Sequence, residues 1–253
     1  MLPQAPGFRV DGRRALVTGA GRGIGLAAAA ALADAGAFVT LASRSAEQLD
    51  QACESIRSAG GQCDRLVLDV TDSRAVTEAL AAREPYQILV NNAGTNRPKP
   101  LVEADDGDID AVLDLNVKAT LYVAREVARG LLAAGLPGSI INVSSQMGHV
   151  GSPRRTLYCA SKHAVEGMSK ALAWELGPAG IRVNTLCPTF IETALTAPMF
   201  EDPQFRDWVL NRIALGRIGQ LHEVMGPVVF LASDASSLMT GSALMLDGGW
   251  TAA

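Results

Sequence analysis

Tyr158 and Lys162 are the two residues of this sequence whose types and spacing best suit proton transfer. They lie in a predicted helix over 157–176, where side chains four positions apart face the same side. A free tyrosine has a pKa near ~10 and is a poor base at neutral pH, but a neighbouring positive charge favours its ionised form. The pair therefore predicts a phenol that gives and takes a proton with the help of the lysine.

The glycine-rich segment from Thr18 to Gly25 stands between the first predicted strand and the first predicted helix. Glycines let the backbone turn tightly, so that its N–H groups and the start of the helix can approach a phosphate. A tight strand–helix turn can also need glycines for structure alone. The position of the segment favours the first interpretation and predicts a site for the pyrophosphate of a dinucleotide.

The end of the second predicted strand indicates which dinucleotide binds. A site selective for NAD usually has a carboxylate here, which accepts from the ribose 2′-OH and would repel a 2′-phosphate. This chain has Ser43 and Arg44 instead. A guanidinium binds phosphate through a planar fork of N–H groups, and Arg22 could approach the same phosphate from the glycine segment. We expect NADP(H), with NAD(H) and two solvated surface arginines as the alternative.

Short apolar runs alternate with longer helical patterns along the whole chain, and these elements must position the residues above. Apolar strands separated by helices predict an α/β fold: a doubly wound parallel sheet of about seven strands with helices on both faces. Since no linker divides the chain, residues 1–253 are expected to form a single domain. The predicted strands are Ala15–Thr18, Phe38–Ala42, Arg65–Leu68, Ile88–Asn91, Ser139–Val143, Arg182–Leu186 and Ala243–Leu246, and the predicted helices lie near 24–35, 46–58, 73–83, 106–133, 157–176 and 222–232.

The connection over 188–217 is long, irregular and rich in apolar residues, among them Phe190 and Trp208. It follows a predicted strand, and open α/β sheets bind ligands beyond the carboxyl ends of their strands. We expect this connection to form a flap over the substrate. A packed helical hairpin on the surface is the alternative.

The composition excludes several classes of function. A net charge of −4 gives no reason to expect nucleic acid or an anionic membrane as a partner. The first residues lack the apolar core of a signal peptide, and no apolar run is long enough to span a membrane, so a cytoplasmic protein is expected. Three histidines and four scattered cysteines, at positions 53, 63, 159 and 187, predict reduced thiols and no metal site.

Three motifs in this order resemble the short-chain dehydrogenase/reductase family: TGxxxGIG at 18–25, NNAG at 91–94 and YxxxK at 158–162. The resemblance covers nearly the whole chain and implies a Rossmann-like fold. It further implies an NADP(H)-dependent oxidoreductase that interconverts a carbonyl and a secondary alcohol by hydride transfer, with Tyr158 as general acid and base.

The resemblance also implies roles for single residues. Ser145, 13 residues before Tyr158, is expected to hydrogen-bond the substrate oxygen, while Ser144 is structural. Asn116 is expected to hold a water in a proton relay behind Lys162, which also binds the nicotinamide ribose. The expected cofactor-binding residues are Gly19, Gly21, Arg22, Gly23, Ile24, Gly25, Ser43, Arg44, Asp69, Val70, Asn91, Ala93, Gly94, Tyr158, Lys162, Pro188, Ile191 and Thr193.

One position departs from the family pattern. Most members have Pro-Gly after the sixth strand, whereas this chain has Pro188-Thr189. Because threonine resists backbone conformations that glycine permits, this loop is expected to use ordinary φ angles or to shape the nicotinamide pocket slightly differently. The backbone of Ile191 and the hydroxyl of Thr193 still suit the carboxamide of the nicotinamide.

Members of the family act on acyl thioesters, steroids, sugars, polyols and simple ketones, so the fold does not name the substrate. The apolar flap favours a hydrophobic carbonyl compound. The residues expected to face the substrate are Ser145, Gln146, Met147, Tyr158, Phe190 and Trp208. Cationic residues predicted at the mouth of the cleft suit either an anionic or polyhydroxylated substrate, or else solvent and subunit contacts: Arg97, Lys99, His149, Arg154 and Arg155.

Three other functions are weighed against this one. An NAD-dependent polyol or sugar-alcohol dehydrogenase would use the same residues. A 3-oxoacyl-ACP reductase is disfavoured because segments 133–136 and 177–180 carry no basic residues for an acidic carrier protein. A nucleotide sensor without catalysis is disfavoured because the tyrosine and lysine are both retained. The resemblance also implies a homotetramer, with the long helices near 106–133 and 157–176 pairing across subunits.

Overall fold

Seven parallel strands form one sheet in the order β3-β2-β1-β4-β5-β6-β7, and helices cover both of its faces. The computed structural model describes residues 2, 4–194 and 196–252. Met1, Pro3, Leu195 and Ala253, which belong to the predicted domain or flap, lie outside the described residues. The predicted doubly wound α/β fold is confirmed.

The strands are Arg14–Thr18 (β1), Phe38–Ser43 (β2), Gln62–Val67 (β3), Ile88–Asn91 (β4), Gly138–Val143 (β5), Ile181–Pro188 (β6) and Ala243–Leu246 (β7). The helices are Gly23–Asp34 (α1), Ala46–Ser58 (α2), Ser73–Ala81 (α3), Asp106–Leu113 (α4), Ala119–Ala134 (α5), Thr156–Leu176 (α6), Pro203–Leu210 (α7) and Leu221–Ala232 (α8).

The sheet separates two apolar cores. Alternate residues of a strand point to opposite faces, so in β1 Val17 packs against α1, α2 and α8, while Leu16 packs against α3, α5 and α6. Both residues are fully buried. Burial on both faces explains why β1 reads as a continuous apolar run rather than an alternating one.

The helix predicted over 106–133 is interrupted. After α4, residues Asp114–Lys118 form one wider turn of π-helix before α5 begins at Ala119. Asn116 lies in this turn and is buried. Single π-turns within α-helices are frequent at functional sites. The periodicity of apolar residues could not reveal the turn, because one extra residue shifts the pattern without ending it.

The start of β3 also differs from the prediction. β3 begins at Gln62 rather than Arg65, because its first residues pair with β2 through the backbone although they are polar. The flap region contains a 3-10 turn over Ala197–Glu201 and the short helix α7.

Among the residues described, no helix combines the length and the apolar character that crossing a membrane requires.

Candidate active site

Tyr158, Lys162 and Ser145 meet at the carboxyl edge of the sheet. Tyr158 and Lys162 lie in the first two turns of α6, and the Lys162 ammonium sits 5.6 Å from the centroid of the Tyr158 ring. The same ammonium donates to the carbonyl of Val143, at 2.8 Å. Ser145 follows β5 directly, so the end of a strand and the start of a helix converge on one point.

Burial shifts the pKa values of Tyr158 and Lys162 in opposite directions. Burial raises the pKa of Tyr158, while a hydrogen bond from Ser145 and the charge of Arg155 act to lower it. Burial lowers the pKa of Lys162 to about 8. With a pKa of about 8, Lys162 keeps its positive charge at neutral pH and can still exchange its proton at slightly higher pH.

Asn116 connects the π-turn to α6. Its side-chain amide donates to Ser161 Oγ at 3.0 Å and to the Thr95 carbonyl at 2.9 Å. Its amide oxygen accepts from the Thr95 N–H, at 2.8 Å. Ser161 in turn donates to the carbonyl of Tyr158, at 2.8 Å. The structure thus places Asn116 beside the helix turn that carries Tyr158 and Lys162, and Ser161 joins the two.

Sequence reasoning missed Ser161 and Thr95, which hold Asn116 in place. Ser161 is fully buried, although the residue after it is a lysine. Its position directly before Lys162 was the available signal, since a small polar residue on the inner side of a buried helix needs a hydrogen-bond partner.

The glycine segment is shaped for close approach. Gly19 and Gly23 have φ values of 64° and 58°, in the region that favours glycine. A methyl group on Gly25 would lie 2.3 Å from the Gly19 carbonyl oxygen, so no side chain fits there. Asn92 holds the segment through bonds from its amide to the carbonyls of Thr18 and Gly19, at 2.9 and 3.2 Å.

Helix α1 begins without a side-chain cap among the described residues, whereas Ser45, Asp72, Asp105 and Asp202 cap α2, α3, α4 and α7. The first N–H groups of a helix need an acceptor. At α1 they are therefore free to bind a phosphate, and with the glycine cradle they fit the pyrophosphate of a dinucleotide.

Ser43, Arg44 and Asp69 lie together at the ends of β2 and β3. The pKa of Asp69 lies below its usual range because the Thr71 backbone N–H bonds its carboxylate; the charge of Arg44 adds a smaller effect. Arg22 and Arg44 are exposed, and neither forms an ion pair within the described part of the chain. Two unpaired guanidinium groups suit a 2′-phosphate.

The remaining predicted cofactor residues line the same edge. The Asn91 amide donates to Asn142 Oδ1 at 3.0 Å and so joins β4 to β5. Gly94 lies above the site: a methyl group there would be 3.9 Å from Lys162 Nζ. Thr193 approaches the glycine segment, since a methyl group on Gly23 would lie 3.7 Å from its Cγ2.

Thr189, at the position where most relatives have glycine, has an ordinary φ angle, as expected for threonine. Its backbone N–H donates to the Leu246 carbonyl, at 3.1 Å. Its hydroxyl is buried and has no hydrogen-bond partner among the described residues. The loop is pinned further along, where Ile191 pairs with Gly219.

The residues predicted to face the substrate fall into two groups. Gln146 and Met147 are buried; the Ser145 hydroxyl donates to Gln146 Oε1 at 2.6 Å and accepts from the Met147 N–H at 3.1 Å. Phe190 and Trp208 belong to an aromatic cluster with ring centroids 5.6–6.0 Å apart, which also contains Phe200, Phe205 and Trp250. Trp250 was not foreseen, because it lies far along the sequence in the C-terminal tail.

The cationic residues predicted at the mouth of the cleft have different surroundings. Arg97 and Lys99 both contact the carboxylate of Asp108. Arg154 is exposed, while Arg155 is buried.

His149, itself exposed, contacts the buried residue Glu166 instead, with Nε2 3.4 Å from Glu166 Oε1. The Cys187 thiol donates to the same carboxylate oxygen at 3.3 Å, and burial raises its pKa to about 12. These three residues come from separate parts of the chain, and no motif links them.

Comparison with known proteins decides the family. A family model described as Enoyl-(Acyl carrier protein) reductase matches residues 19–251. The chain belongs to the short-chain dehydrogenase/reductase family. The resemblance seen in the three motifs is thus confirmed, and with it the expectation that the protein is an oxidoreductase of this family.

Similar short-chain dehydrogenases/reductases act on sugars and sugar acids. D-erythrulose reductase of Gallus gallus is 42% identical, over 97% of this chain and 98% of that protein. Gluconate 5-dehydrogenase of Gluconobacter oxydans (strain 621H) is also 42% identical, over 96% of each chain. The solved gluconate 5-dehydrogenase of Burkholderia cenocepacia J2315, in complex with NADP and tartrate, has a TM-score of 0.94 and 39% identity, over 97% of this chain and 98% of that chain. NADP is the cofactor that Ser43 and Arg44 predict.

Proposed function

We propose that this protein is an NADP(H)-dependent oxidoreductase that interconverts the carbonyl and secondary alcohol forms of a short polyhydroxylated substrate. The convergence of Tyr158, Ser145 and Lys162 beside the glycine cradle carries this proposal. The names of the relatives, a ketose reductase and two gluconate dehydrogenases, favour a polyhydroxylated substrate over the hydrophobic carbonyl compound that the flap suggested.

Tyr158 and Ser145 have separate roles at the substrate oxygen. NADP(H), when bound, supplies or accepts the hydride. In the reductive direction, Tyr158 donates its phenolic proton to the substrate oxygen as negative charge develops there. Ser145 donates a hydrogen bond to the same oxygen, after its hydroxyl turns from Gln146. In the oxidative direction, the tyrosinate takes the alcohol proton.

Lys162 and Asn116 prepare Tyr158 for this exchange. The positive charge of Lys162 favours the tyrosinate that remains after the proton has left. Asn116 holds the helix turn between the two through Ser161, so the distance between phenol and ammonium is set before substrate arrives. Holding reactive groups in place in advance is a large part of what an enzyme contributes.

Binding of the two reduced cofactors tests the proposal. We expect NADPH to bind Arg44→Asp roughly 100-fold more weakly than wild type, because a charged hydrogen bond is lost and a repulsive carboxylate is added. Binding is followed by nicotinamide fluorescence, with NADH titrated in parallel. Arg129→Asp is the control, since this exposed arginine lies on α5, away from the glycine segment, and should leave both affinities unchanged. Equal binding of NADH and NADPH by wild type would contradict the NADP(H) assignment.

We also propose an oligomeric state and a cellular location for the protein. A homotetramer is supported by the outer face of α6, where Trp174 is 87% exposed beside small residues such as Ala171 and Gly167. Such a face allows close approach of a second helix. The proposal of a cytoplasmic location rests on the composition of the chain, whose four scattered cysteines form no CxxC pair.

A further inference from the structure

Arg155 is a buried arginine that the mechanism above does not use. It stands immediately before α6, and only 6% of its surface is exposed. Its Nη1 is buried and has no hydrogen-bond partner among the described residues, and no carboxylate within residues 4–194 and 196–252 forms an ion pair with it. A buried cation without a partner is strongly unfavourable unless a ligand supplies one.

Arg182 shows how this chain treats a largely buried arginine that serves structure. Its guanidinium donates to the carbonyls of Met239, Leu231 and Ser233, at 2.8–3.2 Å. Arg155 has no comparable set of acceptors. The difference indicates that the partner of Arg155 is not part of the folded chain described here.

The guanidinium of Arg155 lies beside the reacting phenol. Arg155 is the N-cap residue of α6, and Tyr158 is the third residue of that helix. Its charge lowers the pKa of Tyr158, which also requires the two groups to be close. Arg155 therefore lies at the same end of α6 as Tyr158, and substrate must bind at this end.

The start of α6 adds to the attraction for an anion. No side chain of the described residues caps this helix end at Arg155. The first N–H groups of a 21-residue helix and the positive end of its dipole therefore reinforce the guanidinium. Three of the other four residues predicted at the mouth already contact a carboxylate, Arg97 and Lys99 that of Asp108 and His149 that of Glu166, while Arg154 is exposed to solvent.

We propose that Arg155 binds the carboxylate of the substrate, and that the preferred substrates are therefore sugar acids rather than neutral polyols or ketoses. This inference rests on the proposed function, and it assigns Arg155 as the residue that determines specificity. A planar guanidinium can bind a carboxylate through two parallel N–H bonds. That geometry would fix the acid end of the substrate and present a hydroxyl-bearing carbon further along its chain to Tyr158.

The test compares D-gluconate with D-sorbitol, a neutral polyol of the same chain length, both with NADP⁺. We expect Arg155→Met to lower the ratio of kcat/KM for gluconate over sorbitol by about 100-fold, the range found when one partner of a buried charge pair is removed. Arg155→Lys keeps the charge without the planar fork, so part of the preference should return. Arg154→Met is the matched control: it removes the neighbouring, exposed charge and should leave the ratio unchanged.

A binding measurement separates this inference from the proposed function. With NADP⁺ present, tartrate in excess should raise the Tm of wild type by roughly 3 °C and leave that of Arg155→Met unchanged. If that shift is seen but no sugar acid, polyol or ketose reacts, the carboxylate site stands and the proposed function fails. If the substrates react and Arg155→Met has the wild-type ratio, the inference fails and the function stands.

The assembly of the variant gives the remaining decisive outcome. Light scattering should find Arg155→Met with the same mass in solution as wild type, and NADPH should bind it equally well. Loss of the assembly would show that the partner of Arg155 is another copy of this chain, which overturns the assignment to substrate.

Discussion

The two edges of the sheet treat their buried polar groups differently. At the amino edge, where the strands begin, the groups are matched within the chain: Arg182 donates to three carbonyls, and the Ser139 hydroxyl donates to the Leu231 carbonyl at 2.8 Å. At the carboxyl edge, the hydroxyls of Ser144 and Thr189 and the Nη1 of Arg155 are buried without partners among the described residues.

This difference separates groups that hold the fold from groups that are kept for a ligand. Nearly all buried polar groups in folded proteins are paired, so unpaired ones need an explanation. Among the described residues, Ser144, Thr189 and Arg155 lie where the cofactor and substrate are expected, whereas Arg14 Nε and Asp64 Oδ1 are unpaired atoms of groups that pair through another atom with Glu84 and Arg83. The contrast implies that variants at the amino edge should change stability, whereas variants at the carboxyl edge should change activity.

The largest effect is expected at the carboxyl edge, from Tyr158→Phe. The loss of the phenolic proton should lower kcat by about 1,000-fold, within the usual range for a general acid. The free energy of unfolding and the affinity for NADPH should stay close to wild type. Steady-state kinetics and fluorescence titration measure the two properties, with Tyr122→Phe on α5 as the control. Activity near wild type in Tyr158→Phe would remove the tyrosine from the mechanism.

The next prediction compares the two edges directly, by replacing one buried arginine at each edge with methionine. Arg182→Met should lower the free energy of unfolding by about 3 kcal/mol, because three hydrogen bonds from a charged donor are lost. Arg155→Met should change it by less than about 1 kcal/mol or raise it, because an unpaired buried charge is removed. Urea denaturation without cofactor measures both. Equal destabilisation by the two variants would mean that the two edges do not differ in this way.

The smallest effect concerns the ammonium of Lys162, whose pKa burial lowers to about 8. An unfolded lysine titrates near ~10.4, so between these two values the unfolded chain binds more protons and stability must rise with pH. From pH 8 to pH 10, wild type should gain roughly 2 kcal/mol in unfolding free energy relative to Lys162→Met. The comparison with the variant cancels other titrations. A difference that stays constant over this range would show that Lys162 keeps an ordinary pKa in the fold.

Much of the site followed from local sequence, because its parts are consecutive in the chain. The glycine segment, the end of β2 and the Tyr158–Lys162 pair each consist of residues a few positions apart. Their place at the ends of strands and the starts of helices follows from the order of elements. The family resemblance then supplied Ser145 and Asn116, which lie on other elements.

The parts that could not be predicted depend on packing between distant segments. An arginine in a polar loop normally faces solvent, so nothing in the segment before α6 indicated that Arg155 would be buried and Arg154 exposed. Trp250 joins Phe190 and Trp208 only because the C-terminal tail returns to the flap. Cys187, His149 and Glu166 meet for the same kind of reason.

The π-turn over Asp114–Lys118 has a consequence for how this site can change over time. Each residue of a helix accounts for about 100° of rotation. The extra residue therefore sets the direction of Asn116 relative to everything before it in α4. No substitution can restore the regular winding; only the deletion of a residue can, and that deletion would turn α4 or α5 out of its place against the sheet. The position of Asn116 and the register of the two helices must therefore be inherited together.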